Sequence, residues 1–150
     1  MTATTLTVPS RRFGDLEVAA GDLLDLPEGL AGLGGRRYVV VPTAADSPFA
    51  WLQSADDPDL ALPITDPWAF FPEFVLELSD DATAAAGLPE DPAEVRVWVT
   101  VRAAGRLEDF CANLRAPIVV HQGRGAQVLN EAEHAAVRAP LFGESSLAAA

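Results

Sequence analysis

The clearest periodicity in the chain lies between Val95 and Val101. Val95, Val97, Val99 and Val101 alternate with Arg96, Trp98, Thr100 and, one step on, Arg102. A period of two predicts a strand with its valine face against a core and its even-numbered face exposed. Tyr38-Val39-Val40-Val41 predicts a second strand, stopped by Pro42. Phe49 to Gln53 and Leu60 to Thr65 predict two more, separated by the acidic turn Asp56-Asp57-Pro58-Asp59, with Pro63 marking an edge or a bulge. Leu6 to Val8 and Asp15 to Val18 form short strands joined around Ser10–Gly14, and Phe74 to Leu78 alternates apolar and outward positions. Ala116 to Val120 and Ala126 to Leu129 predict a closing hairpin around Gln122-Gly123-Arg124-Gly125.

Helix signals are few. Ala20-Gly21-Asp22 opens a brief turn that Pro27 and Gly29 end, and the glycines at 29, 32, 34 and 35 form a loop into the Tyr38 strand. Ser79 caps a short helix near 80–86, with Asp80 and Asp81 in its first turn, alanines filling it, Gly87 at its stop and Pro89 beyond. About ten short strands and one helix predict an all-β fold, mainly antiparallel: a small β-barrel or two packed sheets. Residues 1–142 read as one domain and 143–150 as a flexible tail.

Charge sharpens this picture. The 150 residues carry a net charge of −12. From Tyr38 to Val95 there is no Arg or Lys, while twelve acids fall there: Asp46, Asp56, Asp57, Asp59, Asp66, Glu73, Glu77, Asp80, Asp81, Glu90, Asp91 and Glu94. The remaining ten acids balance ten arginines, and lysine is absent. A surface of that sign repels nucleic acid and anionic membrane and attracts basic proteins, though it also serves plain solubility.

A single cysteine, Cys111, allows no internal disulfide and fits a reducing compartment. No apolar run reaches the length of a membrane span, and Arg11–Arg12 is followed by Gly14-Asp15-Leu16-Glu17 where an export signal needs an apolar stretch. The expected location is cytoplasmic.

Catalytic and metal-binding patterns do not emerge, and no cofactor is expected. His121 and His134 lack a second ligand at metal spacing, and Cys111 reads as a packed thiol. The Asp56–Asp59 turn lacks the glycine and distal glutamate of a calcium loop. The Gly29–Gly35 loop leads into a strand, whereas phosphate-cradling loops lead into a helix. Pro67-Trp68-Ala69-Phe70-Phe71-Pro72 is different: three rings within four residues, with Asp66 and Glu73 at its ends. Read one way it is a protein-docking patch with an acidic rim; read the other it is a corner tucking its rings into the core. The candidate surface comprises Asp56, Asp57, Asp59, Asp66, Trp68, Phe70, Phe71 and Glu73, with the even-numbered face of the Val95 strand.

Seven stretches, taken in order, resemble the FliW family of flagellar assembly factors from about Phe13 to Phe142. They are Phe13-Gly14-Asp15-Leu16-Glu17-Val18, Leu26-Pro27-Glu28-Gly29-Leu30, Tyr38-Val39-Val40-Val41-Pro42, and Pro48-Phe49-Ala50-Trp51-Leu52-Gln53-Ser54. Asp57 to Pro67, Asn113-Leu114-Arg115-Ala116-Pro117-Ile118-Val119-Val120 and Ala139-Pro140-Leu141-Phe142 complete the set. Three positions depart from the family's habit: Ala31 stands for proline, His121 for asparagine and His134 for tyrosine.

The resemblance implies a β-rich cytoplasmic protein with no catalytic role. It implies two partners held in alternation: flagellin before export, and the RNA-binding translational repressor CsrA. Holding CsrA frees flagellin messenger RNA for translation, and accumulating flagellin reverses this. The residues leave two alternatives open, a flagellin chaperone without a role in RNA control and a small β-barrel hydrolase built from scattered acids and His121.

Overall fold

A computed structural model describes residues 5–27, 29–30, 36–43, 47–88, 94–102, 110–133 and 135–141. The glycine loop at 31–35, His134 and the 143–150 tail lie outside the described residues, as does Pro89. Eleven strands run β1 Thr5–Val8, β2 Leu16–Ala19, β3 Leu23–Asp25, β4 Arg37–Pro42, β5 Phe49–Ser54, β6 Ala61–Thr65, β7 Arg96–Arg102, β8 Cys111–Ala112, β9 Ile118–His121, β10 Arg124–Gln127 and β11 Ala139–Pro140. Helices α1 Pro67–Phe70 and α2 Asp80–Ala86 lie between β6 and β7.

Seven strands close on themselves in the order β3-β4-β5-β6-β7-β9-β10. All neighbours are antiparallel except β10 and β3, whose parallel contact at Arg124 and Asp25 shuts the ring. Closure gives every strand of the ring a partner on both sides over at least part of its length. Of the two architectures the pattern allowed, the barrel is the one formed. Its interior is filled by Leu24, Leu26, Leu30, Tyr38, Ala50, Leu52, Ile64 and Ile118.

Direct strand partners share a face, so the register assigns each side chain to one side of the barrel wall. Trp98 opposes Ile118 and Thr100 opposes Ile64, which places the even-numbered face of β7 toward the interior. This corrects the expectation of an exposed even face: Trp98 packs on the barrel core, and only Arg96 and Arg102 at the strand ends are exposed. The valines of β7 point outward and are buried all the same, because segments before and after the strand cover them. Val99 and Val101 meet Leu114, Ala132, Ala135, Ala139 and Leu141, and Val97 packs with Val119 and Val128. A strand in a closed barrel can be covered on both faces, which a single period-two pattern does not reveal.

The chain that covers those valines is irregular. Phe74, Leu76 and Leu78 pack inward while Val75 is 53% exposed, so the alternation is real, yet no strand pairs with this segment. The Asn130 side chain takes the partner's place. Its Oδ1 accepts from the Glu77 N–H (2.9 Å) and its Nδ2 donates to the Val75 carbonyl (2.9 Å), while the Glu131 N–H reaches the Glu77 carbonyl (2.8 Å).

Local signals fare well elsewhere. Ser79 Oγ accepts from the Ala82 N–H (3.0 Å) to start α2, and Gly87 ends it in the left-handed region at φ 66°. The Gly87 and Leu88 N–H groups return to the Ala84 and Thr83 carbonyls, closing the helix end. The final hairpin is tighter than expected. Its turn is Gln122-Gly123, with φ 52° and 77°, so Arg124 and Gly125 belong to β10. Two consecutive positive φ values match the twist of a two-residue hairpin. At Gly125 a Cβ would lie 2.9 Å from Leu26 Cδ2 and 3.1 Å from the Val119 carbonyl, so a side chain there would require Leu26 to move and the Val119 backbone to give by a few tenths of an ångström.

Three further points differ from expectation. The turn at Ala20 gives way to β3 at Leu23 rather than running to Pro27. Helix α1 replaces an irregular corner, and β8 with β11 forms an extra ribbon on β7. Pro63 pairs with β5 only, since β7 joins β6 just at Ile64 and Thr65, so the missing N–H falls where β6 is an edge.

Candidate functional site

The proposed surface residues divide into two groups at opposite ends of β6, five residues or roughly 17 Å apart. The Asp56–Asp59 turn precedes that strand and the Asp66–Glu73 stretch follows it. The fold does not bring them together.

The acidic turn is occupied with its own architecture. Buried Gln53 supports it from below, donating to the carbonyls of Ser54 (3.0 Å) and Leu60 (3.1 Å), while Ser10 Oγ donates to Gln53 Oε1 (2.7 Å). Ser54 Oγ accepts from the Asp56 and Asp57 N–H groups, and Asp57 Oδ1 accepts from the Asp59 N–H (2.9 Å). Asp56 Oδ2 accepts from the Arg36 and Arg37 N–H groups (2.9 and 3.1 Å) and Oδ1 pairs with Arg37 Nη2 (3.0 Å). Arg11 Nε meets Asp59 Oδ1 at 2.6 Å. The middle segment lacks bases in sequence, but folding supplies Arg11 and Arg37 to it.

These contacts have a pH consequence. The Arg36 N–H, then the Arg37 guanidinium and N–H, hold the Asp56 carboxyl below the usual aspartate value of 3.8. The unfolded chain takes up this proton first, so the carboxylate's stabilisation is complete above the ordinary value and is lost as pH falls through the lower folded one. Asp56→Ala is therefore expected to lose under about 1 kcal/mol at pH 7, because the pair is solvent-exposed. Urea titrations should show the gap between wild type and variant narrowing below about pH 4. A gap that widened on acidification would contradict the assignment.

The second group builds a cleft. Asp66 Oδ1 accepts from the Trp68 N–H (2.9 Å) and Pro67 takes the first helical position, so α1 turns the chain sharply after β6. Phe70 and Phe71 pack against the Val99–Val101 cluster, Phe70 lying 5.2 Å from the Phe49 ring. Trp68 stays 44% exposed, its ring edge-on to Phe74 (5.1 Å) and its Nε1 donating to the Phe74 carbonyl (3.0 Å). Two rings of the aromatic stretch thus tuck in, as a corner would have them, and the third stays out.

Beyond α1 lies a cleft of about 450 Å³, floored by Phe71, Phe74, Leu114, Ala132 and Ala135 and edged by Glu73, Glu77 and Glu133. The three glutamates are exposed, and Val75 adds an apolar wall. At one margin Arg115 Nη1 donates to the Ala135 carbonyl (3.3 Å). Phe71 and Glu73 were legible as candidates. Glu77, Leu114 and Glu133 were not, because they reach the cleft through Asn130 and the Asn113–Pro117 bulge between β8 and β9. Asn113 Oδ1 shapes that bulge by accepting from the Arg115 and Ala116 N–H groups (3.0 and 3.2 Å).

An apolar floor inside a ring of carboxylates can hold an apolar side chain while steering a basic partner toward it. Among the described residues, no group of three or more His, Cys, Asp or Glu side chains is arranged to hold a metal ion, and no helix is long and apolar enough to cross a membrane. Asp56 is shifted away from what a general acid requires.

Known proteins resemble this chain over most of its length. The family model for the FliW protein matches residues 7–141. The flagellar assembly factor FliW of Desulfitobacterium hafniense (strain Y51) is 35% identical over 144 residues, covering 93% of each chain. That of Geotalea uraniireducens (strain Rf4) is 32% identical over 139 residues, covering 91% of this chain and 85% of that protein. A crystal structure of the flagellar assembly factor FliW superposes with a TM-score of 0.82 at 26% identity, over 93% of this chain and 99% of that one.

Proposed function

The chain belongs to the FliW family of flagellar assembly factors, and from that premise we propose that it is a non-catalytic cytoplasmic regulator that works by holding other proteins. Its partners in this reading are CsrA, which it antagonises, and flagellin, which displaces CsrA and so ties flagellin synthesis to export. The observation that supports protein binding is the cleft at Phe71 and Phe74, apolar at its floor and edged by Glu73, Glu77 and Glu133. Interfaces are built this way, with rings at the centre and charge at the rim. The net charge of −12 supports the antagonism. A strongly acidic protein bound to an RNA-binding protein repels phosphate, lowering RNA affinity even from beside the RNA site.

The test is a titration of the protein against CsrA and flagellin of the same organism, followed by competition between them. Binding to both, each excluding the other, is the expected result. Binding to flagellin alone would identify a chaperone without a role in RNA control. Binding to neither would separate this chain's activity from its family's.

A further inference from the structure

At one mouth of the barrel the charge has the opposite sign. We propose that this mouth is a second docking site, which takes an acidic, apolar segment of a partner protein. Strands β6 and β7 pair only at Ile64–Thr100 and Thr65–Val99 before β7 turns its edge to β8, and a cleft of about 460 Å³ opens where they part. Leu30, Leu62 and Val137 give it apolar walls, and Arg102 and Arg138 stand beside them. Val137 is 60% exposed, a large apolar side chain left in water.

The arginines carry the argument. Among the described residues Arg11 and Arg37 pair with carboxylates, and the other seven arginines do not. Arg102 and Arg138 have no acidic partner within ion-pair distance among the described residues, although both line one cleft. Two like charges lining one cleft repel each other, and an anion held between them offsets that. The planar fork of arginine suits a carboxylate in two-point contact. Asn113, also in the lining, spends its Oδ1 on its own bulge, which leaves its amide nitrogen to donate outward. The charged groups offered are both cationic donors beside apolar walls, the complement of a carboxylate flanked by aliphatic side chains. Nucleic acid fits less well, since a phosphate chain leaving the cleft would run onto an acidic surface.

The proposal is independent of the partners named above. Its test uses the intact protein, ¹⁵N-labelled, titrated with an acetylated and amidated pentapeptide of alternating leucine and glutamate. Saturable shifts are expected at Thr100, Arg102, Asn113 and Arg138. The counterpart peptide with glutamine should bind about tenfold more weakly or worse, as should the Arg102→Ala/Arg138→Ala double variant. If the double variant loses its spectral dispersion, Arg138→Gln alone should weaken the glutamate peptide while leaving other resonances in place. Equal binding of the two peptides would overturn the proposal, as would shifts centred on Glu73 and Glu133. Equivalent shifts from inorganic phosphate would make this a general anion site and overturn the protein partner. Self-association of the wild type that the double variant abolishes would name a second copy as the occupant and overturn it equally.

Discussion

Replacing Asn130 with alanine is expected to destabilise the protein by about 3 to 4 kcal/mol, lowering Tm by roughly 10 °C. Asn130 is fully buried and its amide makes four hydrogen bonds. Oδ1 accepts from the N–H groups of Glu77 (2.9 Å) and Ala132 (3.1 Å); Nδ2 donates to the carbonyls of Val75 (2.9 Å) and Leu114 (3.1 Å). Water can reach the groups at Val75 and Glu77, whose residues are exposed, but Ala132 and Leu114 are buried. Two orphaned polar groups in the interior, at about 1 to 3 kcal/mol each, account for most of the expected loss. The alanine also unties the 75–77 segment from the barrel, so hydrogen exchange should accelerate at Glu77 ahead of global unfolding. Leu129→Ser, at the neighbouring position, changes a side chain that is 58% exposed and should shift stability by under about 0.5 kcal/mol. If Asn130→Ala proved as mild as Leu129→Ser, the amide would not be the tie between segment and barrel.

That residue also marks where sequence reading stops. Strands with a pattern of their own, the alternating β7 and the apolar runs of β4 and β5, announce themselves, because each carries its own signal. So does α2, capped by Ser79 and ended by Gly87. What one segment does for another is invisible along the chain. Asn130 sits between Leu129 and Glu131, and nothing nearby says that its amide will complete the backbone of residues 75–77. The two-residue strands β8 and β11 are too short to carry a period and exist only as partners of β7 and of each other.

Charge misleads for a related reason. The twelve-acid middle segment is one-sided in sequence, yet its most concentrated turn meets Arg11, Arg36 and Arg37 in space. Conversely, Glu133 comes from the balanced remainder of the chain and completes the cleft edge begun by Glu73 and Glu77. Aromatic clustering survives folding better than charge segregation does, because rings within four residues stay close along the chain. The even face of β7 shows the converse: exposed by pattern, it turned inward because the sheet closed.

In the proposed function, the same redistribution sets which acidic residues are expected to govern partner binding. Reversing Glu73, Glu77 and Glu133 together to lysine is expected to weaken binding of the basic partner about a hundredfold, at up to about 1 kcal/mol for each exposed charge. Most of the loss should fall on the association rate, and added salt should shrink it, since rim charges act mainly by steering. Reversing Asp57 and Asp59 instead should change affinity little. Asp59 already faces Arg11 and Asp57 accepts from its own turn, so neither is aimed at a partner. Stopped-flow association with CsrA at two ionic strengths measures both effects. Trp68→Ala adds an independent arm: its ring, half-exposed on Phe74, should raise the dissociation rate and leave the salt dependence unchanged. If the Asp57 and Asp59 variant lost binding while the glutamate variant kept it, the interface would lie at the opposite end of β6, and the cleft would be a seam in the packing.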